Sequence, residues 1–190
     1  CHVAGAHLLD PETGIYNQSY VNRYLPNEDV VLLTLVGREQ GWLVPPGNPQ
    51  NIEGWAAAGR DDVQLVNRQR GAGTRVLLDY ELGKLGIEPN RVRGYRREEY
   101  THLAVAAAIA SGTADFGLGI QAAARALKLD FVPLANEQYD LVMTRQTYES
   151  DRIRPLLNLL QDDGFKTAVA AMPGYDVSVM GNIVAMKPSS

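Results

Sequence analysis

The rhythm of apolar and polar positions changes at a proline-rich stretch near residue 45. Before it, aliphatic and β-branched residues come in short runs. Residues 1–9 read as an opening strand, and Asp10-Pro11-Glu12-Thr13-Gly14 as the turn that ends it, because proline fixes φ and glycine accepts positive φ. Residues 30–36 and 40–44 read as two more strands, with Gly37-Arg38-Glu39 as a hairpin turn between them. Pro45-Pro46-Gly47-Asn48-Pro49 suits neither a helix nor a central strand and predicts a stiff connector.

Beyond the connector, strands and helices alternate. A strand over 63–67 leads through a glycine loop to a helix over 74–85, in which Leu78, Leu82 and Leu85 recur at helical spacing. Thr74 is its expected N-cap and Gly86 its left-handed C-terminal cap, with apolar Ile87 just beyond. Residues 91–95 predict a strand. Residues 101–111 predict an alanine-rich helix, apolar on nearly all faces and so buried between layers, ending at Gly112. Then come a buried strand over 115–120, a helix over 121–127 and strands over 131–134 and 139–143. Ser150 caps a helix over 151–160. Asp162 and Asp163 sit at the positive end of a last helix over 164–172, which Pro173-Gly174 stops.

The alternation from 63 to 134 predicts an α/β fold with a parallel sheet and helices on its faces. The connector at 45–49 and a second crossing near Ala135-Asn136 bracket it. We therefore expect two α/β lobes joined by two hinge crossings. One is discontinuous, 1–46 with 136–190, and the other, 47–135, is inserted. A cleft between such lobes is a natural place for a small ligand.

Composition narrows the function. The 190 residues are 45% apolar and 21% charged, ordinary for a globular protein with a proper core. The net charge of −4 gives no global pull toward nucleic acid or anionic membrane, so no direct nucleic-acid contact is expected and any anion site must be local. The single cysteine, Cys1, excludes an intrachain disulfide and a cysteine-rich metal site. It opens a strand-like run rather than the polar tether that follows a lipid anchor. No apolar run approaches the roughly 20 residues that span a bilayer, and no basic-then-apolar leader is visible. The expected compartment is the cytoplasm; the alternative is a periplasmic or membrane-anchored extracellular protein.

The best candidate chemistry is the loop Arg70-Gly71-Ala72-Gly73-Thr74-Arg75, which follows a strand and opens a helix. The first-turn N–H groups and the helix dipole favour an anion there. Gly71 and Gly73 let successive N–H groups converge, the Thr74 hydroxyl adds a donor, and Arg70 or Arg75 can add charge, bidentate to a carboxylate or oxyanion. The spacing excludes two nucleotide loops: Gly73 rather than lysine precedes Thr74, and Val76 stands where a dinucleotide fingerprint needs a third glycine. The competing reading is a tight turn before a capped helix.

Weaker candidates are Thr101 and His102 at the start of the alanine-rich helix, Gly117 and Gly119 ending a buried strand, and His7 and Tyr16 near the opening strand and turn. Each has a plain structural alternative: an N-cap beside a surface histidine, close helix packing, a satisfied histidine. Arg91, Arg93, Arg96 and Arg97 are followed at once by Glu98 and Glu99 and read as a solvated edge. Asp10 and Glu12 read as turn residues rather than metal ligands. Only His2, His7 and His102 are available as histidines, and neither a Gly-x-Ser-x-Gly elbow nor a helical His-Glu-x-x-His is present. We expect no catalytic residues, no metal and no cofactor.

The segments Ala4-Gly5-Ala6-His7-Leu8-Leu9-Asp10-Pro11-Glu12-Thr13-Gly14, Asn67-Arg68-Gln69-Arg70-Gly71-Ala72-Gly73-Thr74-Arg75 and Tyr100-Thr101-His102-Leu103-Ala104-Val105-Ala106 resemble the periplasmic-binding-protein-like domain family. Members often carry a molybdate-binding label and are often fused to helix-turn-helix or molybdopterin-biosynthesis domains. The resemblance covers nearly the whole chain. It implies a type II periplasmic-binding-protein-like fold and a molybdate- or tungstate-like oxyanion, or another small solute. By resemblance, residues 71–74 with Thr101 and His102 would face the cleft from one lobe, and Gly5 and His7 from the other.

Family members carry a further strand–helix–strand–helix unit, with its own ligand loop, before the segment matching Cys1. The resemblance thus implies a first lobe incomplete at its N-terminus, and an upstream DNA-binding domain as a fused partner. An exposed sheet edge would favour a homodimer. The expected function is a solute-binding or sensor domain, the effector part of a transcriptional regulator or a transport binding protein. The alternatives are a domain for a small organic carboxylate and an enzyme using an anionic substrate.

Overall fold

The computed structural model describes residues 2–187, so Cys1 and its expected strand start lie outside the described residues. The chain divides into two compact units, 1–38 with 137–190, and 39–136. The strands are β1 Ala4–Ala6, β2 Val30–Val44, β3 Leu65–Arg68, β4 Glu98–Glu99, β5 Phe116–Ile120, β6 Asp130–Thr144, β7 Tyr175–Asp176 and β8 Ile183–Lys187. The α-helices are α1 Gln18–Tyr24, α2 Gly73–Lys84, α3 His102–Ala110, α4 Gln121–Ala126, α5 Arg145–Tyr148, α6 Arg154–Leu159 and α7 Asp163–Ala170. Among the described residues no helix is long and apolar enough to cross a membrane.

In the second unit, residues 40–43 of β2 pair antiparallel with β5, β5 runs parallel to β3, and β3 parallel to β4. Helices α2, α3 and α4 follow β3, β4 and β5 in the chain, so all three begin at the carboxyl ends of parallel strands, the end at which open α/β sheets bind ligands. The core joins Leu43, Val66, Val105, Ile109 and Ala124. Trp42 is fully buried edge-on to Phe116, with ring centroids 4.9 Å apart. Leu78 and Leu82 are buried on α2 as their spacing predicts, each worth about 1.5–3 kcal/mol. At the end of α2, Gly86 has φ +66 and Ile87 N–H donates to Leu82 O, the expected left-handed cap.

In the first unit, β1 pairs antiparallel with residues 140–142 of β6, while β7 and β8 pair antiparallel with β2. Its core gathers Val31, Leu33, Met143, Leu160, Val169 and Met180. The Asp10–Gly14 turn forms as expected: Gly14 has φ +71 and its N–H donates to Asp10 O at 2.8 Å. Asp162 caps α7 by accepting from Phe165 N–H at 2.7 Å.

Several expected elements are corrected. Gly37-Arg38-Glu39 is no hairpin turn. Residues 30–44 form one strand, because Gly37 and Arg38 pair with β7 and residues 40–43 with β5. Residues 131–134 and 139–143 are likewise parts of one strand, β6. The first passage between units, at residues 38–39, therefore falls inside β2 rather than in the proline connector, and the second, at residues 136–137, falls inside β6 beside the expected Ala135-Asn136 crossing. Residues 91–95 form no strand. A 3₁₀ turn over Pro89–Arg91 replaces it, and Glu98–Glu99 pairs with β3 instead. The alanine-rich helix is buried on one side only, since Leu103 is 55% exposed while Val105 and Ile109 are buried. Ser150 does not cap the following helix; its hydroxyl donates to Thr147 O.

Candidate functional site

The glycine loop takes the expected conformation with a shifted cap. Gly71 has φ +85, which only glycine adopts without strain, and Ala72, not Thr74, is the N-cap of α2. Alanine has no side-chain acceptor, and no side chain caps this terminus. The turn is closed by Arg75 and Val76 N–H groups donating to Ala72 O at 2.9 and 3.0 Å. The N–H groups of Gly73 and Thr74 precede these bonds, and both residues are buried. α2 thus presents a buried, uncapped positive end, whereas Thr101 caps α3 and Asp162 caps α7.

Beside it stands a residue the sequence reading did not single out. Gln40, on β2 opposite Ile120, is fully buried. Its Nε2 donates to Thr74 Oγ1 at 3.1 Å, while its Oε1 is buried without a partner. The hydroxyl proton of Thr74 is then directed elsewhere than Gln40.

The two arginines of the loop separate. Arg75 is 5% exposed and is held within the fold. Its Nε donates to Asp79 at 3.0 Å, its Nη1 donates to Glu98 at 3.1 Å and to Arg68 O at 3.3 Å, and its guanidinium lies 4.1 Å from the Tyr95 ring centroid. Those partners occupy Nε and Nη1, which gives Arg75 a structural role within the fold. Arg70 is exposed and lines a groove of about 990 Å³ with Gly71, Arg75, Tyr95, Arg96 and Glu98. Val76 and Asp79 of that lining project about 160° and 140° round the helix from Thr74, so that part of the groove and the Thr74 hydroxyl lie on different faces of α2.

Thr101, Gly117 and Gly119 have capping or packing roles in the second unit. Thr101 is the N-cap of α3, its Oγ1 accepting from Ala104 N–H at 3.0 Å. A Cβ on Gly117 would stand 2.7 Å from both Val105 Cγ1 and Val66 O, so this glycine permits close packing of α3 on the sheet. Gly119 serves Leu43 and His102 in the same way: a Cβ there would stand 2.8 Å from Leu43 Cδ1 and 3.4 Å from His102 Nδ1.

In the first unit, Gly5 and His7 are brought together around Tyr139. A side chain on Gly5 would run into the Tyr139 ring, and the His7 ring stacks on it with centroids 5.1 Å apart. His7 Nδ1 is 2.6 Å from Glu137 Oε1, and Arg38 donates to Glu137 Oε2 from Nε at 3.0 Å and Nη2 at 2.5 Å. The Arg38 guanidinium also covers Tyr139. Burial raises the Glu137 pKa, but the His7 hydrogen bond and the Arg38 charge outweigh it and hold the carboxyl below its ordinary value. Tyr16 bridges to Leu9, and its neighbour Asn17 is the buried polar residue, accepting from Leu8 N–H and donating to Asp140.

Arg38, Glu137 and Tyr139 joined no motif in the sequence, since 99 residues separate Arg38 from Glu137. Among the described residues, no three His, Cys, Asp or Glu side chains converge as a metal site.

The PBP superfamily domain matches residues 1–161. The uncharacterized protein YvgK of Bacillus subtilis (strain 168) is 39% identical over 184 residues, which are 97% of this chain but 59% of that protein, so the chain spans about three fifths of this relative. A putative phosphate ABC transporter substrate-binding protein with bound phosphate, from Clostridium perfringens, aligns with a TM-score of 0.62 at 10% identity, covering 92% of this chain and 78% of that one. The regulatory domain of CcmR in complex with 2-PG, from Synechocystis PCC6803, aligns with a TM-score of 0.54 at 15% identity, covering 69% and 65%. At these identities the structural likeness speaks for fold, and that fold is α/β, of the type II periplasmic-binding-protein-like kind.

Proposed function

The chain belongs to the PBP superfamily, and on that premise we propose that it binds a small oxyanion at the buried start of α2. The observation that carries this reading is the uncapped terminus itself. Two buried N–H donors at Gly73 and Thr74, the Thr74 hydroxyl and the helix dipole meet where no side chain caps the helix. Such donors satisfy oxyanion oxygens without importing a full charge, in keeping with the expectation of molybdate or tungstate. The phosphate bound to the Clostridium perfringens neighbour and the 2-PG bound to the CcmR regulatory domain support the anionic class. The organic-carboxylate alternative leaned on two flanking arginines; with Arg75 engaged by Asp79 and Glu98, only Arg70 would serve it.

In this reading the domain binds and releases its ligand without chemistry and reports occupancy to a partner, either a DNA-binding domain or a transport system. The ligand shifts the protein toward whichever state it binds better. Calorimetric titration of the protein with phosphate, sulfate, molybdate and tungstate tests it. At least one should bind with a Kd tighter than about 100 μM, and Thr74→Ala should weaken that anion by about tenfold, the usual size of one lost buried hydrogen bond. Absence of heat with all four, or affinity unchanged in Thr74→Ala, would overturn the proposal.

A further inference from the structure

We propose that the groove beside Val76 and Asp79 of α2 docks an extended peptide segment of a partner, with acidic side chains at its two ends and a basic one between them. The proposal is independent of the anion-binding reading of the α2 start.

The groove belongs to the second unit alone and holds about 990 Å³, the upper end of the range of ligand sites. Glu98 lines it from β4, and β4 stands last in the sheet, with no described strand beyond it. An extended chain suits such an edge. Two arginines of the lining, Arg70 and Arg96, are exposed, and among the described residues neither side chain has an ion pair or a hydrogen bond. They differ in this from Arg68, Arg75, Arg93 and Arg97, whose guanidinium groups all donate to the fold.

The parallel register sets the order of charges along the groove. Glu98 stands opposite Asn67 on β3. Arg70 comes three residues beyond Asn67 and Arg96 two residues before Glu98, so Glu98 falls between the two arginines. Their backbones are at most about 16 Å apart along the strands, at about 3.3 Å per residue. Between them the sign reverses, because Arg75 faces two carboxylates, Asp79 and Glu98, and one negative charge is left over. Glu88, exposed in the same lining, adds another.

The groove therefore runs positive, negative, positive. A polyphosphate carries charge along its whole length and would meet Asp79, Glu88 and Glu98 with like sign. A peptide can alternate. In an extended chain the first, third and fifth side chains share one face, and the outer two stand about 13 Å apart. Carboxylates there reach Arg70 and Arg96, each able to take them bidentately, and a basic residue between them meets the excess carboxylate at Asp79 and Glu98.

Fluorescence anisotropy of a labelled five-residue peptide, Glu-Ala-Lys-Ala-Glu with blocked ends, tests this on the full chain. At low salt it should bind with a Kd tighter than about 1 mM. The charge-reversed peptide, Lys-Ala-Glu-Ala-Lys, should bind at least about tenfold more weakly. Arg70→Gln and Arg96→Gln, at exposed positions, should leave the far-ultraviolet dichroism unchanged and each weaken the first peptide by about threefold, the size of one exposed ion pair. Thr74→Ala should leave peptide affinity unchanged, since that substitution tests the anion site. Four results would overturn the proposal: no binding, equal binding of the reversed peptide, affinity unchanged in both arginine variants, or displacement of the peptide by tripolyphosphate at lower concentration than by unlabelled peptide. Peptide binding weakened by Thr74→Ala would also overturn it, by moving the peptide to the start of α2. Failure of all oxyanions to bind leaves these expectations as they stand.

Discussion

Glu137 and His7, 130 positions apart in sequence, share a hydrogen bond of 2.6 Å that fixes the imidazole against Tyr139. Glu137 is nearly inaccessible, with 1% of its side chain exposed, and the carboxylate is held ionised by His7 on one oxygen and Arg38 on the other. Because its pKa is depressed in the folded state, Glu137 stabilises the fold fully above its unfolded value of about 4.5. That contribution is lost as pH falls below 4.5 and toward the lower folded value. Urea unfolding followed from pH 7 to pH 3 should show this acid-side loss. Glu137→Gln should flatten the profile in that window; a variant as acid-sensitive as the parent would remove Glu137 as its source.

Arg38 supplies two hydrogen bonds and a fixed charge to the same carboxylate. Removing it leaves a buried carboxylate facing only His7, and breaking such a pair costs about 3–5 kcal/mol. Arg38→Met should therefore lower unfolding free energy by roughly that amount, and Arg38→Met with Glu137→Gln should recover part of it because the stranded charge is gone. A double mutant no more stable than the single would show that packing on Tyr139, not charge, is what Arg38 supplies.

Local signals were legible in the sequence and long-range partners were not. Gly86 with Ile87, Asp162 before α7 and the Asp10–Gly14 turn each act through neighbours within about five residues, and each formed where its residues predicted. Residues 37–41, with two glycines and three polar side chains, look like a turn; they are strand because β7 and β5 pair with them, and those partners lie far off in the chain. α1 escaped notice because it buries no residue and so shows no apolar stripe. The glycine loop was found as a loop, yet its key neighbour was missed. A lone glutamine between Gly37 and Trp42 gives no hint that it is fully buried against Thr74. The one available signal is its alternation with Trp42, which puts both on one face of β2.

Arg75 offers a clean separation of structure from binding. Its partners Asp79 and Glu98 are 42% and 31% exposed, so solvent screens part of the attraction, and Arg75→Met should cost about 1–3 kcal/mol of stability rather than the full value of a dry pair. Its effect on oxyanion affinity should stay within about threefold, because its Nε and Nη1 are already engaged by Asp79 and Glu98. A loss of affinity beyond about tenfold at unchanged fold would return Arg75 to the ligand.

Two glycines of the second unit should fail for different reasons when replaced by alanine. Gly71 has open space around it but a φ of +85, so Gly71→Ala should cost about 1–2 kcal/mol of backbone strain that no change in a neighbouring side chain relieves. Gly117 has no such φ, yet its new methyl would meet Val105 Cγ1 and Val66 O at 2.7 Å each, an overpacking worth about 1–3 kcal/mol. Adding Val105→Ala to Gly117→Ala removes the side-chain half of that clash and leaves the backbone half. Thermal unfolding of the set checks the distinction. Val105→Ala should be less damaging on the Gly117→Ala background than on the parent, and equally damaging with or without Gly71→Ala. Equal cost of Val105→Ala on all three backgrounds would mean that Gly117 does not set the distance between α3 and the sheet.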